Sequence, residues 1–321
     1  MSLNIGRKGW IGIGLQTGFQ VPAAIADYVD FTDNTLIGVQ DQIEVDHATS
    51  LRDKLAGTIA GQQSSKGNLS LYADSIKLGY FIVSALGTVQ TSSLGSGVYR
   101  HTVTRNNSNT PQYMTITDDR GVDRQLYADV CVDELTLEVG TDLAEAKTKL
   151  VGNFPMTTTS GVKTTTSGNI FSFANAQFAF GTTISGAQAA TPLKPHDFKL
   201  SIENNAEAVF AHSQNSPRSI NYKEFTASAD FTLYFENTID RDAYYAQTKQ
   251  AASLELLGNG IGGGFQESVV FNFYKTSIQS FDLETGLDNY YAEKGTLNCE
   301  FDAATQRTID CVITNSKSLY I

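Results

Sequence analysis

The chain carries few side chains able to do chemistry, and their spacing works against each class of it. The four histidines, His47, His101, His196 and His212, are the natural metal ligands and general bases. None stands at ligand spacing from another histidine, a cysteine or a carboxylate. The three cysteines, Cys131, Cys299 and Cys311, contain no CxxC pair and cannot complete a disulfide framework. They read as buried free thiols, with a Cys299–Cys311 bridge across a final hairpin as the alternative. Asp118-Asp119-Arg120-Gly121 reads as a turn, since its acids are not in calcium-loop order. Two carboxylates for glycoside hydrolysis could be drawn from any of 34 acids, so their presence decides nothing.

The glycine clusters fare no better as phosphate cradles. Gly12-Ile13-Gly14-Leu15-Gln16-Thr17-Gly18 has the wrong final spacing for a dinucleotide fingerprint and no strand–turn–helix context. Gly258-Asn259-Gly260-Ile261-Gly262-Gly263-Gly264 lacks the lysine and the following helix, and reads as a hairpin tip. No G-x-S-x-G, Walker A or Cys–His signature is present. Phe and Tyr are plentiful but not interleaved with Arg, which argues against a single-strand nucleic-acid platform. We therefore expect no enzyme, no cofactor, no metal and no catalytic residue.

The bulk composition points the same way. A net charge of −11 repels nucleic acid, and Lys and Arg form no stripe. At 321 residues and 41% hydrophobic content, the chain can fill two cores. The first eight residues show no signal peptide, and the longest apolar segment, 80–86, is far short of the ~20 residues of a membrane span. We expect no membrane anchor and folding in a cytoplasm.

The elements that would have to position any site are mostly strands. The clearest signal is written twice. Leu137-Glu138-Val139-Gly140-Thr141-Asp142 is echoed by Leu283-Glu284-Thr285-Gly286-Leu287-Asp288. Each copy ends an alternating apolar run and precedes a second one, through Lys147-Thr148-Lys149-Leu150 or Lys294-Gly295-Thr296-Leu297. Strand, glycine-centred turn and return strand spell a β-hairpin, and its recurrence implies an internal duplication. The flanks agree: Phe231-Thr232-Leu233-Tyr234 stands where Leu69-Ser70-Leu71-Tyr72 stood, and Val269–Phe273 where Met114–Thr117 stood.

Each half also has one short helix. Ile76, Tyr80, Val83 and Leu86 fall at helical spacing, after a cap at Asp74 or Ser75 and before Gly87. Thr238 caps a second helix, expected to run to about Ala251. Residues 88–111 read as loop around a strand at 98–103. The polar stretches 46–65 and 203–221 also read as loops; a loop as long as the first is uncommon without a job.

This order of patterns resembles the tail tube proteins of long-tailed bacteriophages, of the kind with two tube-like halves, over roughly residues 10–315. The resemblance is carried by Gly14-Leu15-Gln16-Thr17-Gly18-Phe19-Gln20-Val21-Pro22, by the strand–helix unit from Gly67 to Gly87, and by Tyr99-Arg100-His101-Thr102-Val103. Its strongest carriers are the run from Pro111 to Asp119, the run from Tyr127 to Leu137, and Leu200-Ser201-Ile202-Glu203-Asn204-Asn205. One departure is Asp129, where a glycine or small residue is expected, which bears on local strand geometry.

The resemblance implies two duplicated β-sandwich or half-barrel domains, each with one short flanking α-helix. The boundaries expected are an N-terminal arm at 1–30, a first domain at 31–153, a Thr/Ser/Gly linker at 154–168 and a second domain at 169–321. It implies units joined edge to edge into a ring, rings stacked into a tube, and tail tip, tape measure and tail terminator proteins as further partners. Open edge strands need a companion, which ring closure supplies. Two units per chain favour a trimer with pseudo-sixfold symmetry, with a true hexamer as the fallback. An acidic lumen would let DNA pass without specific binding. Asp46, Arg52, Asp53, Lys54 and Lys66 are the expected ring-to-ring contacts. The rival readings are a β-sandwich adhesin or receptor-binding tail component and, further off, a carbohydrate-active enzyme.

Overall fold

A computed structural model describes residues 6–47, 55–159, 163–164, 168–193, 195–285 and 290–320. The first half contributes β1 (Trp10–Leu15), β2 (Asp27–Val29), β3 (Asp33–Asn34), β4 (Ile37–Asp46) and β5 (Leu55–Tyr72). Helix α1 (Lys77–Leu86) follows, then β6 (Gly87–Gly95), β7 (Val98–Arg105), β8 (Met114–Asp119), β9 (Arg124–Val139), β10 (Glu145–Gly152) and β11 (Met156–Thr157). The second half contributes β12 (Ala176–Gly181), α2 (Ile184–Ala189), β13 (Asp197–Glu203), β14 (Glu207–Val209), β15 (Ser219–Asn221) and β16 (Thr226–Tyr234). It ends with α3 (Ile239–Ala246), β17 (Gln250–Gly262), β18 (Phe265–Glu284), β19 (Ala292–Cys299) and β20 (Ile309–Asn315). The protein is mostly β, with antiparallel sheets packed as in a sandwich and not closed into a barrel.

The two halves use one pairing scheme. In the first, β3 and β4 pair with β5, β5 with β10, and β10 with the C-terminal part of β9. In the second, β13 pairs with β16, β16 with β19, and β19 with the C-terminal part of β18. The N-terminal parts of β9 and β18 bend into a second sheet. There β9 meets β8, which meets β1, and β18 meets β17, which meets β12. Val269–Phe273 thus occupies the place of the N-terminal part of β9, and β17 that of Met114–Thr117, so the flank equivalence read from sequence is off by one strand. The sequence pattern of Val269–Phe273 fits either strand, because both face the core.

Two strand pairings join the halves: β7 with β20, and β9 with β13 from Phe198↔Val139 to Glu203↔Glu134, the second making one eight-strand run. One face of that run is apolar and buried, with Leu69, Leu71, Leu135, Leu137, Leu200, Ile202 and Phe231 all at 2% exposure or less. Beneath it lie α1 and the second sheets. Each such side chain contributes roughly 1.5–3 kcal/mol on leaving water.

α1 forms where its apolar spacing placed it. Asp74 Oδ1 accepts the N–H groups of Ile76 and Lys77 at 2.8 and 2.7 Å, satisfying two donors of the first turn. Gly87, at φ 103°, ends it. α3 is shorter than expected and stops at Ala246, because Gln250 already enters the β17 ladder. Asn237, not Thr238, accepts the first N–H, from Ile239.

Four expectations fail. Residues 10–15 are not an arm: β1 is buried along its whole length and pairs with β8. Its glycines are demanded by a crossing segment, since a Cβ on Gly14 would lie 2.2 Å from the Ala24 carbonyl oxygen and one on Gly12 2.9 Å from Ile25. Residues 55–65 are not loop but the return strand of a β4–β5 hairpin. Residues 87–95 form β6, paired with β7, which in turn pairs with β20. The stretch 203–221 contains the small β14–β15 hairpin. Among the described residues no helix is long and apolar enough to cross a membrane.

Candidate functional site

Titratable groups sit in structural roles. His101 is buried, with Nδ1 2.8 Å from Thr91 Oγ1 and Nε2 2.9 Å from the Lys317 carbonyl oxygen. Burial holds its pKa below the usual histidine value. Cys131, Cys299 and Cys311 are free thiols, and burial pushes each thiol pKa up, away from reactivity. Among the described residues no group of three His, Cys, Asp or Glu could hold a metal.

What the molecule does present is open backbone. β9 and β18 hold the same place in the two pairing schemes, but among the described residues only β9 is flanked by a strand on both sides along its C-terminal part. Leu137 and Leu135, both 1% exposed, are covered there by β13. Their counterparts on β18 are Leu283, 44% exposed, and Phe281, half-buried. At the other end of the run, β4 is the outer strand and shows Ile37 at 52% exposure. Each half therefore has two corresponding edges, and one of each is unpaired among the described residues.

The exposed face of the run is polar. It carries Glu134, Glu138, Glu145, Asp197, Glu203, Asp230, Asp282 and Glu284 against Lys66, Lys147, Lys149, Lys199 and Lys294, so carboxylates outnumber lysines. Lys147 Nζ lies 2.5 Å from Glu138, Lys294 Nζ 2.6 Å from Glu284, and Lys149 Nζ 3.4 Å from Asp133. Glu138–Lys147 and Glu284–Lys294 are the same cross-strand pair on the two repeated hairpins. The neighbouring carboxylates raise both lysine pKa values.

The β4–β5 hairpin is the third feature. Beyond Ser65 its second strand leaves β10 and pairs with β4 alone among the described strands, with the Gln63 N–H reaching the Asn215 carbonyl at 2.8 Å. Ile43 and Ile59 pair across it at 55% and 60% exposure. Of the expected ring-to-ring contacts, Asp46 ends β4, and Lys66 sits exposed on β5 opposite Ile37. The hairpin does not bring these two together: nine residues of strand, roughly 30 Å, separate the Asp46 and Ile37 rungs. Arg52, Asp53 and Lys54 lie outside the described residues. The alternation Leu36, Val39, Ile43, Val45 reads as strand in the sequence, whereas Ile59 falls in the 46–65 stretch that reads as loop.

One carboxylate faces the wrong way. Glu293 on β19 is 4% exposed and turned to the core, where the first half has Ala146. Its Oε2 has no partner. Burial, and then Asp240 on α3 beside it, push its pKa up to about 8.

Asp129 has φ 53°, which a residue with a side chain rarely adopts, at an irregularity where β9 slips against β8. Its Oδ1 accepts the Gln20 N–H at 2.6 Å, and its Oδ2 accepts from Asn153 Nδ2 at 2.5 Å. A glycine here would take the geometry freely; the aspartate takes it with two hydrogen bonds in compensation.

The described strands thus form antiparallel sheets that leave two edges of the eight-strand run open. The chain belongs to the phage tail tube protein family, whose model matches residues 6–310. Membership makes it a structural component of the virion tail that self-assembles into a tube. Comparison with curated proteins finds no match.

Proposed function

We propose that the two halves are duplicated tube units, and that three chains close into a ring with pseudo-sixfold symmetry. The β9–β13 seam carries this reading. It is an edge-to-edge junction between two equivalent four-strand units, and it leaves the same two edges open at the ends of the chain. Exposed sheet edges invite pairing, and a closed ring removes every one. Three copies of a two-unit chain supply the six units that one-unit tubes draw from six chains.

In such a ring the polar face of the eight-strand run lines the lumen. Its excess of carboxylates repels phosphate, so DNA slides through without being held by counterion release. The apolar face turns outward under the helices and second sheets. Rings then stack through the β4–β5 hairpin, whose exposed Ile43–Ile59 pair is apolar surface on a ribbon too thin to be stable alone. The ends of the tube meet the tail tip, tape measure and terminator proteins of the virion, and its role is delivery of the genome into the host.

Negative-stain microscopy of the purified protein tests this reading. Rings or tubes with a central channel are expected, with six-lobed end views. A discrete particle without a channel, at all concentrations, would favour the adhesin-type reading instead.

A further inference from the structure

We infer that the junction between chains copies the seam within the chain, residue for residue, so that the edge of β18 on one copy pairs antiparallel with β4 of the next with Ile37 opposite Asp282. This deepens the ring reading and rests on it. The register follows from two equivalences already fixed by pairing. Along the donor edge, the repeat carries Leu137 to Leu283 and Thr136 to Asp282, because each hairpin has its Leu-Glu step at the same place relative to its return strand. Along the acceptor edge, the pairing of β4 with β5 and of β13 with β16 carries Ser201 to Ile37 and Ile202 to Gly38. Within the chain, Ser201 lies opposite Thr136, and Ile202 opposite Leu135. Transferring these rungs sets Ile37 opposite Asp282, and Gly38 opposite Phe281.

Leu135 and Ile202 fill the core-facing rung of the inner seam. The same rung at the outer junction pairs Phe281 with Gly38, whose core-facing side is already filled by Phe154 and Pro155 of its own chain. The local hydrogen bonding also says where the ladder starts. The Leu36 carbonyl already accepts Arg120 Nη2 at 2.6 Å, and the Leu36 N–H is given to Asn34 Oδ1 at 3.1 Å. The intermolecular ladder therefore runs from Ile37 onward, not through Leu36.

A second copy of this chain is thus the partner, and disulfide trapping reads the register. Ile37 and Asp282 are both exposed, so Ile37→Cys with Asp282→Cys should fold as the parent does. Directly opposed strand residues suit disulfide geometry, and residues offset by two do not. Mild oxidation of assembled protein should give a covalent ladder that stops at three chains. Ile37→Cys with Glu284→Cys, and Ile37→Cys with Ser280→Cys, should link about tenfold less. Rings that form while an offset pair links best would overturn the register and leave the tube reading standing. A parent chain that makes no rings at all would overturn both. Should the double variant fail to fold, amide hydrogen exchange on the parent decides. Assembly must protect the backbone amides of 38–40 and 281–283, and unchanged exchange there overturns the proposal.

Discussion

Leu137 and Leu200 stand directly opposite each other across the seam between the two halves, 1% and 0% exposed. Leu283, which occupies the place of Leu137 in the second half, is 44% exposed, with β19 on one side and no described strand on the other. Identical placement with opposite burial gives a clean contrast. Leu137→Ala should cost the isolated chain about 2–4 kcal/mol by denaturant unfolding. Leu283→Ala should cost it under ~1 kcal/mol yet raise the concentration needed for assembly, read by sedimentation.

The hairpin should separate stacking from ring closure. Ile43→Ser with Ile59→Ser removes an exposed apolar pair on the two-stranded ribbon. Unfolding should change by no more than about 0.5 kcal/mol, as for ordinary surface substitutions. Microscopy should then show single rings in place of tubes.

Asp129 should discriminate glycine from alanine. Alanine keeps the unfavourable φ of 53° and loses both hydrogen bonds; glycine loses the bonds but relieves the backbone. Asp129→Ala should therefore be less stable than Asp129→Gly by roughly 1 kcal/mol, measured by chemical denaturation.

Glu293 makes stability depend on pH. Its folded pKa is raised, so between about 4.5 and 8 the folded chain holds a proton that the unfolded chain has released. Stability from this group is therefore full in acid and is lost as pH climbs through that window. Glu293→Gln should flatten the decline and stabilise the chain at pH 8 by on the order of 1–2 kcal/mol.

Legibility followed burial. α1 could be read because one stripe of it meets the core, and the repeated Leu-Glu turn because its flanking strands are apolar on one face only. The 55–65 part of β5 and the strand β6 read as loop because neither carries an apolar alternation. In Gly61-Gln62-Gln63-Ser64-Ser65 the buried positions are Gly61, Ser64 and Ser65, small residues that give no apolar signal, and in Thr91-Ser92-Ser93 both serines are exposed. β1 failed differently: buried on both faces, Trp10-Ile11-Gly12-Ile13-Gly14-Leu15 has no alternation to show, and its glycines answer to a crossing segment. The edges were invisible in principle, because Leu283 and Leu137 carry the same sequence signal. Only coordinates reveal which of them lacks a neighbour.

The central claim is that the seam inside one chain is also the seam between chains. The mass of the smallest closed ring tests it most directly, by native mass spectrometry joined to end-view class averages. The account predicts three chains, three times 34.8 kDa, with six lobes around the channel. Six chains around the channel, or a monomer that never closes, would contradict it.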